Sequence, residues 1–392
     1  MTLEQWKVMK RIIIAFASIL TVITTNVHLS LANSIDITPF VAPSILNTKQ
    51  ELSNLSRLQN FESPKAMKAL KLLTSSHYSD LDREFHAYET VKVAARESTP
   101  EEQQFKEDAH AARSLALMWH ITGEDAYRVK SSNILTEWSK TFKNLKVAKG
   151  HKSQAYLEAA WTLPVWVSAA DMLRYGDTRW MEAERESFKK FIVKLNAYAK
   201  KAHRDNNWGA SATLAGISAS VYLKDRKSYQ KNIKYFKHYL KTLSNSDGSM
   251  NSDYLSDSWH SQYAIISLIH SAEIASHQGT DLYGFIIEGE RLPRLAEILE
   301  HFAGLFIGKI PNPEGLKRGN YRGAHNNKQA YQIAYKYLKL NRPDVLENMP
   351  NFIEMMESWS PTETSIQFMK WDRVTHSILE QDNSHDSVSG LH

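Results

Sequence analysis

The stretch WHSQYAIISLIHSAEIA, residues 259–275, decides how the rest of the chain is read. Ile265, Leu268, Ile269 and Ala272 recur at helical spacing, so the pattern predicts an amphipathic α-helix with those residues on its apolar side. The first turn carries more than a packing helix needs. Trp259, His260, Gln262 and Tyr263 gather there; His260 and Tyr263, three apart, share one face, and Ser267 continues it a turn further on. A hydroxyl beside an imidazole can give one proton while the other group takes one, if neighbours tune them. The plainer reading is a His and a Tyr that only hydrogen-bond each other in the core.

Outward from this helix, further helical patterns lie near residues 50–73, 102–120, 124–143, 154–175, 179–202, 207–223, 226–243, 291–307, 325–339 and 343–357. Turn signals such as ITGED, RYGDTR, SDGSMNSD and IPNPEG separate them, and alternating apolar residues are almost lacking. Several helices arrive as antiparallel pairs joined by a few residues, with no strict repeat period. These features predict an all-α chain, an incomplete (α/α) toroid of helical hairpins with an open groove. No Pro/Gly/Ser-rich linker divides residues 33–371, so one domain is expected, followed by a polar tail at 372–392 expected to fray.

At the N-terminus Lys7, Lys10 and Arg11 precede an apolar run from Ile12 to Ile23 and then Ser30-Leu31-Ala32, a small-x-small pattern. This order predicts a secretory signal peptide over residues 1–32 and a periplasmic or secreted protein, with no stable membrane insertion after cleavage. The chain has no Cys, which excludes disulfides and a lipidated cysteine anchor. With 42% hydrophobic residues in 392, a large core is available. Forty-eight basic against 43 acidic residues leave a net charge of +5, spread along helices such as KDRKSYQKNIKYFKHYLK, so a nucleic-acid partner is not expected. A monomer is the simplest expectation. No HExxH, Cys-rich site or EF-hand loop occurs, and neither a metal nor a cofactor is expected.

A second unusual stretch is HRDNNWGASATLAGISAS, residues 203–220. Asp205 or Asn206 can cap a helix here, and Gly209, Ala210, Ser211 and Ala212 form a small face that a neighbouring helix or a substrate can approach. The segments DAHAARSLALMWHITGEDAYRVKSSNILTEW, NNW with its small-residue helix, DGS, and WHSQYAIISLIHSAEIASHQGTDLY together resemble the alginate lyase superfamily of polysaccharide lyases, over residues 108–283. That resemblance implies an incomplete (α/α) toroid and β-elimination of a uronate polymer. It assigns Asn207, with Asn206 adjacent, to neutralising the uronate carboxylate and Tyr263 to acid–base catalysis.

Two positions depart from the family pattern. Trp208 stands where the family carries a His, and no Arg occurs in YLSDS, where the family has one shortly before the Tyr. His260 is the candidate replacement for the imidazole, and Arg318 or Arg322 in GLKRGNYRGAHNN for the cation; Trp208, Trp259 and Gln262 complete the expected substrate-binding set. An acidic polysaccharide, alginate first, is the expected substrate. Two other readings stay open. A glycoside hydrolase would need a carboxylic pair, for which Asp205, Asp253 and Asp257 are available, and a sugar-binding protein would only stack sugars on Trp208 and Trp259.

Overall fold

The computed structural model describes residues 39–60, 63–174, 180–317, 320–321, 329–358 and 366–377. The predicted signal peptide, Arg318, Arg322 and the chain beyond residue 377 lie outside them. Residues 40–392 form a unit distinct from residues 1–39. The elements of this larger unit are α1 (Lys49–Leu55), α2 (Pro64–Thr74), β1 (Thr90–Ala94), α3 (Pro100–Thr122), α4 (Asp125–Thr141), β2 (Asn144–Lys149), α5 (Gln154–Leu173), α6 (Glu182–Ala199), α7 (Asn207–Leu223), α8 (Arg226–Leu243), α9 (Ser258–Ser276), α10 (Arg294–Ile307), α11 (Tyr331–Asn341), α12 (Pro343–Leu346), α13 (Pro350–Ser358) and α14 (Asp372–Thr375). No helix among the described residues is long and apolar enough to cross a membrane.

Burial sorts the helices into two rings. Helix α8 buries Tyr229, Asn232, Phe236, Tyr239, Leu240 and Leu243, one stripe at helical spacing, and turns its lysines outward. Helix α7, by contrast, is buried at every residue from Gly209 to Tyr222. Helices α3, α5, α7 and α9 pack each on the next, α11 continues from α9, and α4, α6 and α8 pack outside α3, α5 and α7. This is the incomplete (α/α) toroid. An outer helix returns the chain between successive inner helices, so the inner helices run the same way with their N-termini at one end. Helix α9 departs from the amphipathic expectation: from Ala264 to Ala275 it is buried all round, because it has inner-ring neighbours on both sides. Small residues permit the approach. A Cβ on Gly209 would collide with the Tyr239 ring, and one on Gly216 with the Asn232 side chain.

Two features were not foreseen. Strands β1 and β2 pair in parallel, and Glu102 of α3 accepts a hydrogen bond from Ala94 N at 2.9 Å, which ties the start of an inner helix to this ladder. The C-terminal segment also differs from the frayed tail expected from residue 372. Asp372, Arg373, Val374, Thr375 and His376 are buried, and the Asp372 carboxylate accepts from Ala330 N at 2.5 Å. The segment is polar yet inside the fold, where Asp372, Thr375 and His376 make hydrogen bonds.

Candidate functional site

Helix α9 starts at Asp257, whose Oδ1 accepts from the backbone N–H groups of Trp259 (3.0 Å) and His260 (2.9 Å). Its Oδ2 lies 2.5 Å from His260 Nδ1. One carboxylate therefore caps the helix and fixes the imidazole. A proton on Nδ1 satisfies this contact and leaves Nε2 as the acceptor; the His260 side chain is 42% exposed. Burial pushes the Asp257 carboxyl up, but hydrogen bonds from His260 and its charge outweigh this and hold it below its ordinary value.

Tyr263 stands one turn on, its ring 6.2 Å from that of His260 and nearly perpendicular to it. Trp161 of α5 meets Tyr263 edge to face at 5.9 Å, and Phe368 packs at 5.5 Å. The Tyr263 hydroxyl makes no hydrogen bond with any described residue. Burial raises its pKa, the positive charge of Lys106 opposes that, and Asp257 adds to it, so the phenol is protonated at neutral pH. Lys106 of α3 lies 5.9 Å over the Trp161 ring and is held between Glu102 (2.5 Å) and Glu158 (2.7 Å). Gln154 donates to Glu158 at 2.9 Å. Burial disfavours the Lys106 charge, and the two carboxylates more than offset it, raising its pKa. Lys106 is thus a fixed buried cation below the Trp161–Tyr263 pair.

Helix α7 brings Asn207 to the same end. Asn206 caps it, accepting from Trp208 N at 3.0 Å. One turn on, Ser211 Oγ meets Ser267 Oγ of α9 at 3.1 Å. Asn207 lies four residues before Ser211 and Tyr263 four before Ser267, so on parallel helices they occupy matching turns. Asn207 is buried and its Nδ2 has no hydrogen-bond partner among the described residues; the buried Nε1 of Trp161 has none among them either. A buried unmet donor costs about 1–3 kcal/mol, so two at this end of the inner ring are available to an acceptor. Trp208 carries the Arg204 guanidinium on its face at 3.9 Å, and His203 stacks on Tyr235 at 3.9 Å, closing the turn before α7.

The other expected residues divide. Trp259 is 43% exposed at the start of α9. Gln262 is not presented to this end: it is fully buried, with Nε2 donating back to Ser258 O, because it is turned about 100° from Tyr263 on the helix. Of the carboxylates of the hydrolase reading, Asp257 is engaged as above and Asp205 with His238 at 2.9 Å, while Asp253 is exposed in the turn before α9. Trp161, Lys106 and Arg204 were missed from sequence. Only the aromatic richness hinted at Trp161; Lys106 sits in a helix whose pattern reads as generic.

These features define a helical-toroid protein with a neighbouring imidazole and phenol, and amide and indole donors unmet among the described residues, at one end of its inner ring. Residues 57–304 match the family described as alginate lyase, well over half of the chain, and the chain belongs to that family. It is a polysaccharide lyase. Alginate lyase A1-III from Sphingomonas species A1 is similar in structure, with 15% identity, coverage of 86% of this chain and 98% of that one, and a TM-score of 0.60. An alginate lyase from Bacteroides ovatus matches at 12% identity over 86% and 100%, TM-score 0.60. A variant of A1-III complexed with a tetrasaccharide matches at 18% identity over 69% and 79%, TM-score 0.55. At such identities the likeness shows the fold alone. No curated protein matches by sequence.

Proposed function

We propose that the chain cleaves a uronate-containing acidic polysaccharide by β-elimination at the N-terminal end of the inner ring, with alginate the leading substrate and glucuronan-like polymers next. The observation that carries this reading is a pair of buried donors with no partner among the described residues, Asn207 Nδ2 at the start of α7 and Trp161 Nε1 on the indole that packs against Tyr263. Donors without acceptors suit a carboxylate. The C5–H of a uronate is a weak acid because its carboxylate is already negative, and hydrogen bonds to that carboxylate stabilise the enolate-like anion that forms.

His260 Nε2 takes the C5 proton, the C5–H electrons become the C4–C5 double bond, the C4–O4 bond breaks, and O4 takes the Tyr263 proton. Asp257 stabilises the resulting imidazolium, and transfer of its proton to the tyrosinate restores both groups. Lys106 favours the tyrosinate through Trp161, and Arg204 on Trp208 is a cation for the polymer. The basic, apolar, small-x-small order of residues 1–32 supports export of the enzyme to its polymer. The test compares a polyuronate with the same polymer after its carboxyl groups are reduced to alcohols. Turnover of the first and not the second is expected; equal turnover of both overturns the reading.

A further inference from the structure

At the other end of α9, about 15 Å along the helix from Tyr263, Glu273 and His277 share a face one turn apart. His277 Nε2 lies 3.2 Å from Glu273 Oε1 and 3.8 Å from Glu51 Oε2 of α1. His376, just after α14, points its Nε2 into the same space, 3.7 Å from Glu273 Oε1 and 4.0 Å from Glu51 Oε1. His376 is fully buried, and that nitrogen has no hydrogen-bond partner among the described residues. Glu51, Glu273 and His277 can each turn one ligand atom to a common point.

The surroundings aim all four groups. His277 Nδ1 lies 2.9 Å from Ser44 O, which only an Nδ1–H can satisfy, so Nε2 faces the cluster. Thr375 Oγ1 donates to Trp371 O at 3.1 Å and therefore accepts from His376 Nδ1 at 2.8 Å, which sets the same tautomer there. Tyr283 donates to Glu273 Oε2 at 3.0 Å and Thr48 N to Glu51 Oε2 at 2.9 Å. Lys336 reaches Glu51 Oε1 at 3.0 Å. Imidazoles held by Nδ1 with Nε2 converging, beside carboxylates fixed by outer donors, are the arrangement that orients metal ligands.

We propose that Glu51, Glu273, His277 and His376 bind one Zn²⁺ ion, which joins α1, the end of α9 and the C-terminal segment. Tetrahedral zinc with bonds of about 2.0–2.2 Å sets its ligand atoms about 3.3–3.6 Å apart. Four of the six distances between these groups, at 3.2 to 4.0 Å, lie within a few tenths of an ångström of that spacing. Because His277 faces Glu51 Oε2 and His376 faces Glu51 Oε1, binding one ion requires the Glu51 carboxylate to turn one oxygen to both. Two imidazoles and two carboxylates suit zinc, and with Lys336 the cluster carries one net negative charge when both imidazoles are neutral. A cavity of about 510 Å³, lined by Glu51, Glu273, His277 and Lys336, gives an ion access. The ligands come from three separate segments, which is why no spacing motif announced them. The inference is independent of the lyase chemistry.

The test uses the full chain without a histidine tag, stripped with chelator and titrated with Zn²⁺, and separately with Co²⁺ to read the visible spectrum of tetrahedral cobalt. One equivalent of zinc per chain, a melting temperature that rises with zinc, and a tetrahedral cobalt spectrum are expected. His376→Ala and the milder His376→Gln should each weaken zinc binding about 100-fold or more and remove the zinc-dependent melting shift. Retention of full zinc affinity by both variants, or a wild-type chain that takes up neither metal, overturns the proposal and leaves a protonated histidine–carboxylate cluster. Chelation should leave the elimination rate of the folded enzyme unchanged; its loss below the melting temperature refutes the structural role.

Discussion

Replacing Tyr263 by Phe removes one oxygen from a crowded place. Because the hydroxyl has no hydrogen-bond partner among the described residues, its loss leaves no buried group unsatisfied. The ring keeps its contacts with Trp161, Phe368 and His260, so folding stability should stay within about 0.5 kcal/mol of the wild type. The chemical step loses much more. Without the phenol, O4 must leave as an unassisted alkoxide, and general acid catalysis is worth about 10²–10⁴ in rate, or about 2.7–5.5 kcal/mol of transition-state stabilisation. The loss should fall on kcat with KM within a few fold, since the proton moves only in the transition state. The assay is initial rate of unsaturated uronide formation at saturating polymer, with a thermal melt of both proteins. A variant that melts with the wild type and turns over within threefold of it refutes the role of Tyr263.

Three further outcomes are expected from the same geometry. Asn207→Asp, nearly isosteric, places a carboxylate against the uronate carboxylate and should lower kcat/KM about 100-fold or more, read in the same assay. Asp257→Asn keeps a good N-cap and removes the charge that holds the His260 imidazole; the rate should fall about tenfold or more, with less than about 1 kcal/mol lost in a denaturant titration. Burial, aided by the charge of Lys370, lowers the His110 pKa to about 3. Its unfolded pKa is near 6.5, so below that pH the unfolded chain takes up a proton that the folded one refuses. Stability then falls as pH drops from about 6.5 towards 3, by about 1.4 kcal/mol per pH unit for this residue alone once pH is below about 6, and His110→Gln should flatten the curve by that amount between pH 6 and 4.

Much of the fold was legible because its elements are long and their breaks are chemically marked. The helix over Asn207–Leu223 starts after the Asn206 cap and stops before Asp225, which caps the next. What could not be read was the ring to which each helix belongs. Ser and Ala look half polar in a hydropathy pattern, yet along α9 Ser267 and Ser271 send their hydroxyls back to carbonyls one turn earlier, and so sit in the inner ring as small residues. Strands β1 and β2 are too short for alternation to stand out. The site divides in the same way. His260 and Tyr263 share one helix face, which spacing alone reveals; Gln262 was chosen by chemistry without regard to its face. Trp161 and Lys106 reach the site from other inner helices, roughly 100 and 160 residues away in sequence, and only packing reveals them.

The central claim is that this chain breaks a uronate polymer by elimination, and the mass of its products tests it most directly. Elimination leaves an oligosaccharide with a C4–C5 double bond at its new non-reducing end, one water lighter than the hydrolysis product and absorbing at the edge of the far ultraviolet. The account predicts that every new non-reducing end made from alginate or a related polyuronate by wild-type enzyme is of this unsaturated kind, and that Tyr263→Phe makes few or none. Products one water heavier, with no new absorbance, would contradict it.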